Sequence, residues 1–321
     1  MNAALIGSVS SSVATLQGML RGGLEVTAVC GLHERHAAKI SDFHDLRPLA
    51  AQWGTPYLAF DKVTEPQVKA FLERHRPDWL FVIGLSQLVP AAIRDAARQG
   101  AIGFHPTPLP EGRGRAPVAW TILNQRPAAA NLFFLTDEPD AGDIVEQRPV
   151  PVFPDDYAID LIIRTNGVLE QMVADLCPAF ASGQVTRHPQ DHSKATWYGR
   201  RRPEDGRIDW GQPAIDIYRL IRAVSHPYPG AFTTQRSHEA QRSRTGRAPL
   251  TASPHPPTRL HLIVWRATPV PGSNTQHLPG TIVAIDSNGP VVQTGDGLLH
   301  LTDIQTDPAA HPGLATGQRL E

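Results

Sequence analysis

Apolar positions in the first half of the chain come as short blocks separated by stretches with helical spacing. Ala3–Val9 is one such block, closing on a Gly7-Ser8 turn, and Ser10-Ser11-Ser12 then opens a stretch with Val13, Leu16 and Leu20 on one helical face. Leu24–Cys30 predicts a second strand, Gly31–Asp45 a loop, Leu46–Trp53 a helix and Pro56-Tyr57-Leu58 a short strand. Helical spacing returns over Glu65–Arg74, and Trp79–Leu85 is an unbroken apolar run, the pattern of a strand buried on both faces. Pro90–Gln99 reads as a helix with proline in its first turn, followed by a strand at Ile102-Gly103-Phe104. This alternation predicts an α/β fold, a doubly wound and mostly parallel sheet.

Leu132–Leu135 and Ile144–Val152 continue the strands, and Tyr157–Phe180 has helical spacing that ends near Gly183. The composition then changes. Residues 185–207 are polar and basic, with Arg200-Arg201-Arg202-Pro203, which predicts a linker between a catalytic domain over 1–184 and a second domain over 208–321. The second domain holds an amphipathic helix within Ile208–Val224 and strand-like runs at Leu260–Trp265, Gly280–Ile285, Pro290–Thr294 and Leu298–Ile304, the pattern of a small β-barrel. Residues 235–257 contain Arg236, Arg242, Arg244, Arg247 and four prolines with few apolar residues, and predict a flexible surface insertion.

Composition excludes several classes of function. The Trp79–Leu85 run is far shorter than the roughly 20 residues needed to cross a bilayer, so no membrane partner is expected. Thirty Lys and Arg against 31 Asp and Glu give a net charge of −1, which offers no global basic field for a nucleic acid. Cys30 and Cys177 form no CxxC pair, and Met1-Asn2-Ala3-Ala4-Leu5 lacks the features of a signal peptide; both point to an unprocessed, cytoplasmic chain with reduced thiols. The Gly7-Ser8 turn could cradle a phosphate at a helix start, but neither GxGxxG nor GxxxxGK[ST] is present. His33, His36 and His44 lack ligand spacing, so no metal is expected.

Two segments concentrate chemistry. The first, Gly103 to Pro117, places His105 at the carboxyl end of a strand, where open α/β sheets bind ligands, and follows it with four prolines and two glycines. The second, Thr136 to Asp143, is a turn-rich loop with three aspartates and one glutamate that lacks the regular spacing of a calcium loop. Taken alone, His105 reads more often as a structural histidine than as a catalytic one, and the acidic loop as a solvated turn.

Together these segments resemble the folate-dependent formyltransferase family, whose pattern is Asn-x-His at a strand end, a Leu-Pro loop closing on Arg-Gly, and a later Asp-x-Gly. His105, Leu109-Pro110, Arg113-Gly114 and Asp140-Ala141-Gly142 fall on those elements in order. The resemblance implies transfer of a formyl group from 10-formyltetrahydrofolate to a primary amine, with His105 and Asp140 catalytic and no metal cofactor. It places Gly84, Leu85, Ser86 and Leu88 with Asp137 and Asp140 around the folate, and Thr107, Pro108, Arg113 and Arg115 toward the acceptor. It also implies a C-terminal barrel of OB-like type and small-molecule substrates, and leaves a homodimer open.

The family asparagine falls on Gly103, which has no side chain. Loss of one oxyanion donor costs about a hundred- to a thousandfold in rate. Three accounts stand open: Thr107, Asn124 or a water replaces the donor; the chemistry is slower; or the chain is a binding relative without turnover. Gly114–Trp120, Tyr198-Gly199-Arg200-Arg201 and Pro227–Phe232 are similar to members acting on UDP-4-amino-4-deoxy-L-arabinose, which implies the amine of a nucleotide-linked sugar as acceptor. Methionyl-tRNA, hydroxyornithine and, in a 10-formyltetrahydrofolate hydrolase, water are the alternatives.

Overall fold

The computed structural model describes residues 1–236, 259–271, 276–306 and 313–321. Its contacts divide into one unit of Met1–Pro154 with Asp160–Arg200 and another of Asp155–Ile159 with Arg201–Glu321. In the first unit the elements run β1 (Asn2–Gly7), α1 (Ser10–Arg21), β2 (Glu25–Leu32), α2 (Arg47–Gln52), β3 (Tyr57–Phe60), α3 (Pro66–His75), β4 (Trp79–Ile83), α4 (Ala91–Arg94) and β5 (Gly100–His105). They continue with β6 (Arg113–Gly114), α5 (Pro117–Leu123), β7 (Ala128–Phe134), β8 (Ile144–Val150), α6 (Ala158–Ser182) and β9 (Trp197–Tyr198).

The seven-stranded sheet has the order β3-β2-β1-β4-β5-β7-β8. Strands β1 to β5 pair in parallel, while β7 and β8 add antiparallel at one edge. Every residue of the central strand β4 is buried, which accounts for its uninterrupted apolar sequence. On one face Ala4, Ile6, Leu80 and Val82 pack with Val68 and Leu72 of α3. On the other, Trp79 and Phe81 set their rings edge-on against Phe180 of α6, at 5.2 and 4.9 Å between centroids. Strand order reverses between β1 and β4, so the carboxyl ends of β1, β4 and β5 meet at a topological switch point.

At the switch point the start of α1 is internally satisfied. The Ser10 amide donates to Asp42 Oδ2 at 3.1 Å, and Ser12 Oγ donates to Ile83 O at 2.6 Å while accepting from the Val9 amide at 3.2 Å. The phosphate cradle considered for Gly7-Ser8 is therefore answered by a carboxylate of the protein itself. The helix expected over Pro90–Gln99 is shorter, confined to α4, after which the chain turns directly into β5.

In the second unit α7 (Ala214–Val224) accompanies β10 (Ala231–Arg236), β11 (Arg259–Val270), β12 (Ile282–Asp286), β13 (Gly289–Gln293) and β14 (Leu298–Thr306). The five strands form an antiparallel sheet of order β10-β11-β14-β13-β12. Its edges are tied by the last residues: the Ile282 amide donates to Gln318 O and Leu320 to Gly280 O, both at 2.8 Å, while Thr234 and Glu321 exchange backbone bonds at 2.9 and 2.7 Å. The result is a small barrel-like domain. The insertion expected at 235–257 lies, from 237 onward, outside the described residues.

Candidate active site

His105 is the last residue of β5, and its side chain is nearly enclosed. A carbonyl oxygen only accepts, so the 2.8 Å contact with Gly112 O assigns the ring proton to Nε2, which donates to it. Nδ1 is then the ring nitrogen left for chemistry. It faces Asp140 Oδ2 at 3.8 Å, longer than a hydrogen bond. Gly112 O thus holds the tautomer of His105, and Asp140 stands opposite the other nitrogen.

Asp140 is fixed independently of the histidine. Its Oδ2 accepts from the Gly114 amide at 2.8 Å, and its backbone lies in the left-handed region at φ 55°. The glycine at 142 follows from the fold of this loop, because a Cβ there would lie 1.8 Å from Phe134 O. At Gly114, with φ 106°, a Cβ would lie 2.4 Å from Tyr198 O, so glycine is what lets β6 pair with β9. Burial pushes the Tyr198 phenol above its ordinary range.

Arg113, expected to reach the acceptor, instead turns inward and is 1% exposed. Its Nη2 donates to Gln190 Oε1 at 2.7 Å and lies 3.2 Å from His192 Nδ1, its Nη1 donates to Glu138 Oε1 at 3.3 Å, and the guanidinium stacks over Trp197. Gln190 Nε2 in turn donates to the carbonyls of Asp140 at 2.9 Å and Gly142 at 2.7 Å. The buried charge therefore braces the loop that carries Asp140. Gln190, His192 and Trp197, within the stretch expected as a linker, belong to this brace.

The remaining residues separate into two groups. Thr107 is buried and its hydroxyl donates to Glu111 O at 2.9 Å, closing the turn over Pro108, which is half-buried. Arg115 is exposed and donates from Nη2 to Ser86 O at 3.1 Å, joining its loop to the Gly84–Leu88 loop. There Leu85 is half-buried while Leu88 is 78% exposed, so Leu88 is no part of the core. Asp137 is also exposed and pairs with Arg94. Beside it opens a cavity of about 570 Å³, bordered by Ala101, Leu135, Asp137, Glu138, Arg187 and His192. Neither His105 nor the Gly84–Leu88 loop lines it.

Gly103 shares the face of His105 on β5. A Cβ there would lie 2.7 Å from Leu135 Cδ2 and 2.8 Å from Phe133 Cζ, so the ends of two apolar side chains fill the space in which a donor would start. Asn131, Gln147 and Gln190 are the polar groups around the site that sequence reasoning passed over. Among the described residues, no group of three or more His, Cys, Asp or Glu side chains is arranged to hold a metal ion. No described helix is long and apolar enough to cross a membrane.

A family profile described as formyl transferase matches residues 6–174, and one described as formyl transferase, C-terminal domain, matches residues 201–311. Among solved structures, HypX from Aquifex aeolicus in complex with tetrahydrofolic acid superposes with a TM-score of 0.63 at 19% identity, covering 95% of this chain and 44% of that one. This chain thus spans less than half the length of HypX. The N-formyltransferase from Helicobacter canadensis, in complex with folinic acid and dTDP-3-aminofucose, matches with a TM-score of 0.61 at 14% identity over 94% of this chain and 99% of that one. A 4-N formyltransferase from Francisella tularensis matches at 0.55 and 18% identity, over 70% of this chain and 89% of that one. At these identities the likeness is one of fold.

Proposed function

This chain belongs to the formyl transferase family, and on that premise we propose that it moves a formyl group from 10-formyltetrahydrofolate to the amino group of a nucleotide-linked sugar. The observation that carries this reading is the meeting of His105 Nδ1 with Asp140 Oδ2 at the carboxyl end of β5, both groups being held by the backbone of residues 112–114. The folate supplies a formyl carbon on a nitrogen that can leave. Formyl transfer forms a bond from the acceptor nitrogen to that carbon, places negative charge on the formyl oxygen, and then breaks the original carbon–nitrogen bond, the proton lost by the amine being returned to the leaving folate nitrogen.

The residues of this chain suit those demands. With Nε2–H engaged by Gly112 O, Nδ1 is the nitrogen of His105 left to exchange a proton with the reacting groups as charge develops. Asp140, 3.8 Å from Nδ1, stabilises positive charge on the ring as a proton arrives there, and we assign to it the proton that the attacking amine loses. Leu88, exposed beside Gly84 and Ser86, offers apolar surface for a flat ring to cover. A nucleotide-linked amino sugar is favoured as acceptor by the Helicobacter canadensis enzyme, whose structure holds dTDP-3-aminofucose. The net charge of −1 speaks against tRNA.

The test is incubation of the enzyme and 10-formyltetrahydrofolate with pooled UDP-, GDP- and dTDP-linked amino sugars, followed by mass spectrometry. A formyl adduct on one pool member is the expected result. Tetrahydrofolate formed without any adduct would instead identify a hydrolase, and an adduct only on hydroxyornithine or methionyl-tRNA would replace the acceptor.

A further inference from the structure

We infer that Asn131 of β7 is a positioning residue for His105, holding the start of the turn whose end fixes the His105 ring. It does not restore the donor absent at Gly103, and neither of the two side chains named for that part is placed to do so. The Thr107 hydroxyl closes its own turn onto Glu111 O at 2.9 Å, and Asn124 is exposed at the end of α5. Phe133 and Leu135 fill the space at Gly103 itself.

Asn131 is placed differently. Strand register pairs His105 of β5 with Asn131 of β7, and Asn131 with Gln147 of β8. Directly paired residues project from the same face of a sheet, so the three side chains form one row across it. Each donates to a different carbonyl of the following turn: Asn131 Nδ2 to Thr107 O at 3.3 Å, Gln147 Nε2 to Leu109 O at 3.0 Å and His105 Nε2 to Gly112 O at 2.8 Å. The turn is thereby held at its start, middle and end, and its end sets which nitrogen of His105 carries the proton.

A second observation separates this role from plain packing. Asn131 is wholly buried, and no described donor reaches its Oδ1. A buried carbonyl without a donor is unfavourable, and an apolar side chain of similar size would be the stabler occupant. A residue that breaks a local rule of stability in contact with the active-site turn is expected to serve function.

The inference rests on formyl transfer at His105, and the experiment keeps the two apart. Asn131→Leu removes both the donor and the orphaned oxygen, while Asn131→Asp keeps the shape and loses the donor to Thr107 O. Both are compared with the wild-type enzyme for melting temperature and for kcat and KM, using 10-formyltetrahydrofolate and the pooled amino sugars. For Asn131→Leu the expected result is an unchanged or higher melting temperature, a kcat lower by at least about tenfold and a folate KM within about threefold. Asn131→Asp is expected to show the same split between kcat and KM. A smaller loss of kcat in either folded variant, or a KM that rises in step with it, overturns the role. Should neither variant fold, the ¹⁵N spectrum of the wild-type His105 ring, assigned by difference with His105→Asn, decides: a neutral ring with its proton on Nε2 supports the row, and a neutral ring with its proton on Nδ1 refutes it. A wild-type enzyme that transfers no formyl group defeats the functional reading instead, and the ring spectrum then decides the row.

Discussion

The two sides of the candidate site are built in opposite ways. His105 and Arg113 are buried and Asp140 half-buried, and their polar groups are tied to one another or to backbone, with Gln190 linking the guanidinium to the Asp140 carbonyl. Around Gly84–Leu88 and Asp137 the chain presents exposed side chains, Leu88 among them. The contrast assigns different work to each side. Groups that stabilise charge in a transition state act best when fixed beforehand, whereas a surface that gains affinity by covering apolar area must begin uncovered.

Substitutions on the fixed side should produce the largest effects. Asp140→Asn retains the bond from the Gly114 amide but removes the charge opposite Nδ1, and steady-state kinetics should show kcat lower by at least about a hundredfold in a folded protein. Gln190→Leu leaves a buried guanidinium short of its best acceptor, and urea unfolding should show a loss of about 3 kcal/mol. Gly103→Asn, which restores the family residue, brings a Cβ against the ends of the Leu135 and Phe133 side chains, which must shift to admit it; it should cost no more than about 1 kcal/mol in the same assay.

On the open side the expected effect is smaller and of another kind. Leu88→Asp should leave the melting temperature unchanged and raise the KM for 10-formyltetrahydrofolate by about tenfold, with kcat within about twofold. A large fall in kcat instead would mean that both sides act as one preorganised unit, and the contrast would be broken.

How far this arrangement could be read in advance also differs by region. The β4 run, the loop after His105 and the Asp-Ala-Gly turn were legible because local demands wrote them: burial on both faces, a strand end, and a glycine pressed against a carbonyl. Arg113 and residues 188–198 were not, because the partners of a buried charge lie far away in sequence, and polar side chains that satisfy it look like those of a linker. Asn131 left a fainter signal as the one polar residue in the stretch Ala128–Phe134. Its meaning depends on the register of β5 against β7, which no local pattern reveals. The Gly103 substitution was visible, but the Phe133 and Leu135 side chains that make it tolerable were not.

The central claim is that this chain transfers the formyl group of 10-formyltetrahydrofolate at His105. The most direct measurement follows tetrahydrofolate release by absorbance for the wild-type enzyme and His105→Asn in parallel, with and without the pooled amino sugars. The account predicts release by the wild type that depends on the pool and falls by about a hundredfold or more in His105→Asn, whose melting temperature stays close to wild type. Equal release by the two proteins, or none by the wild type with any acceptor, would contradict it.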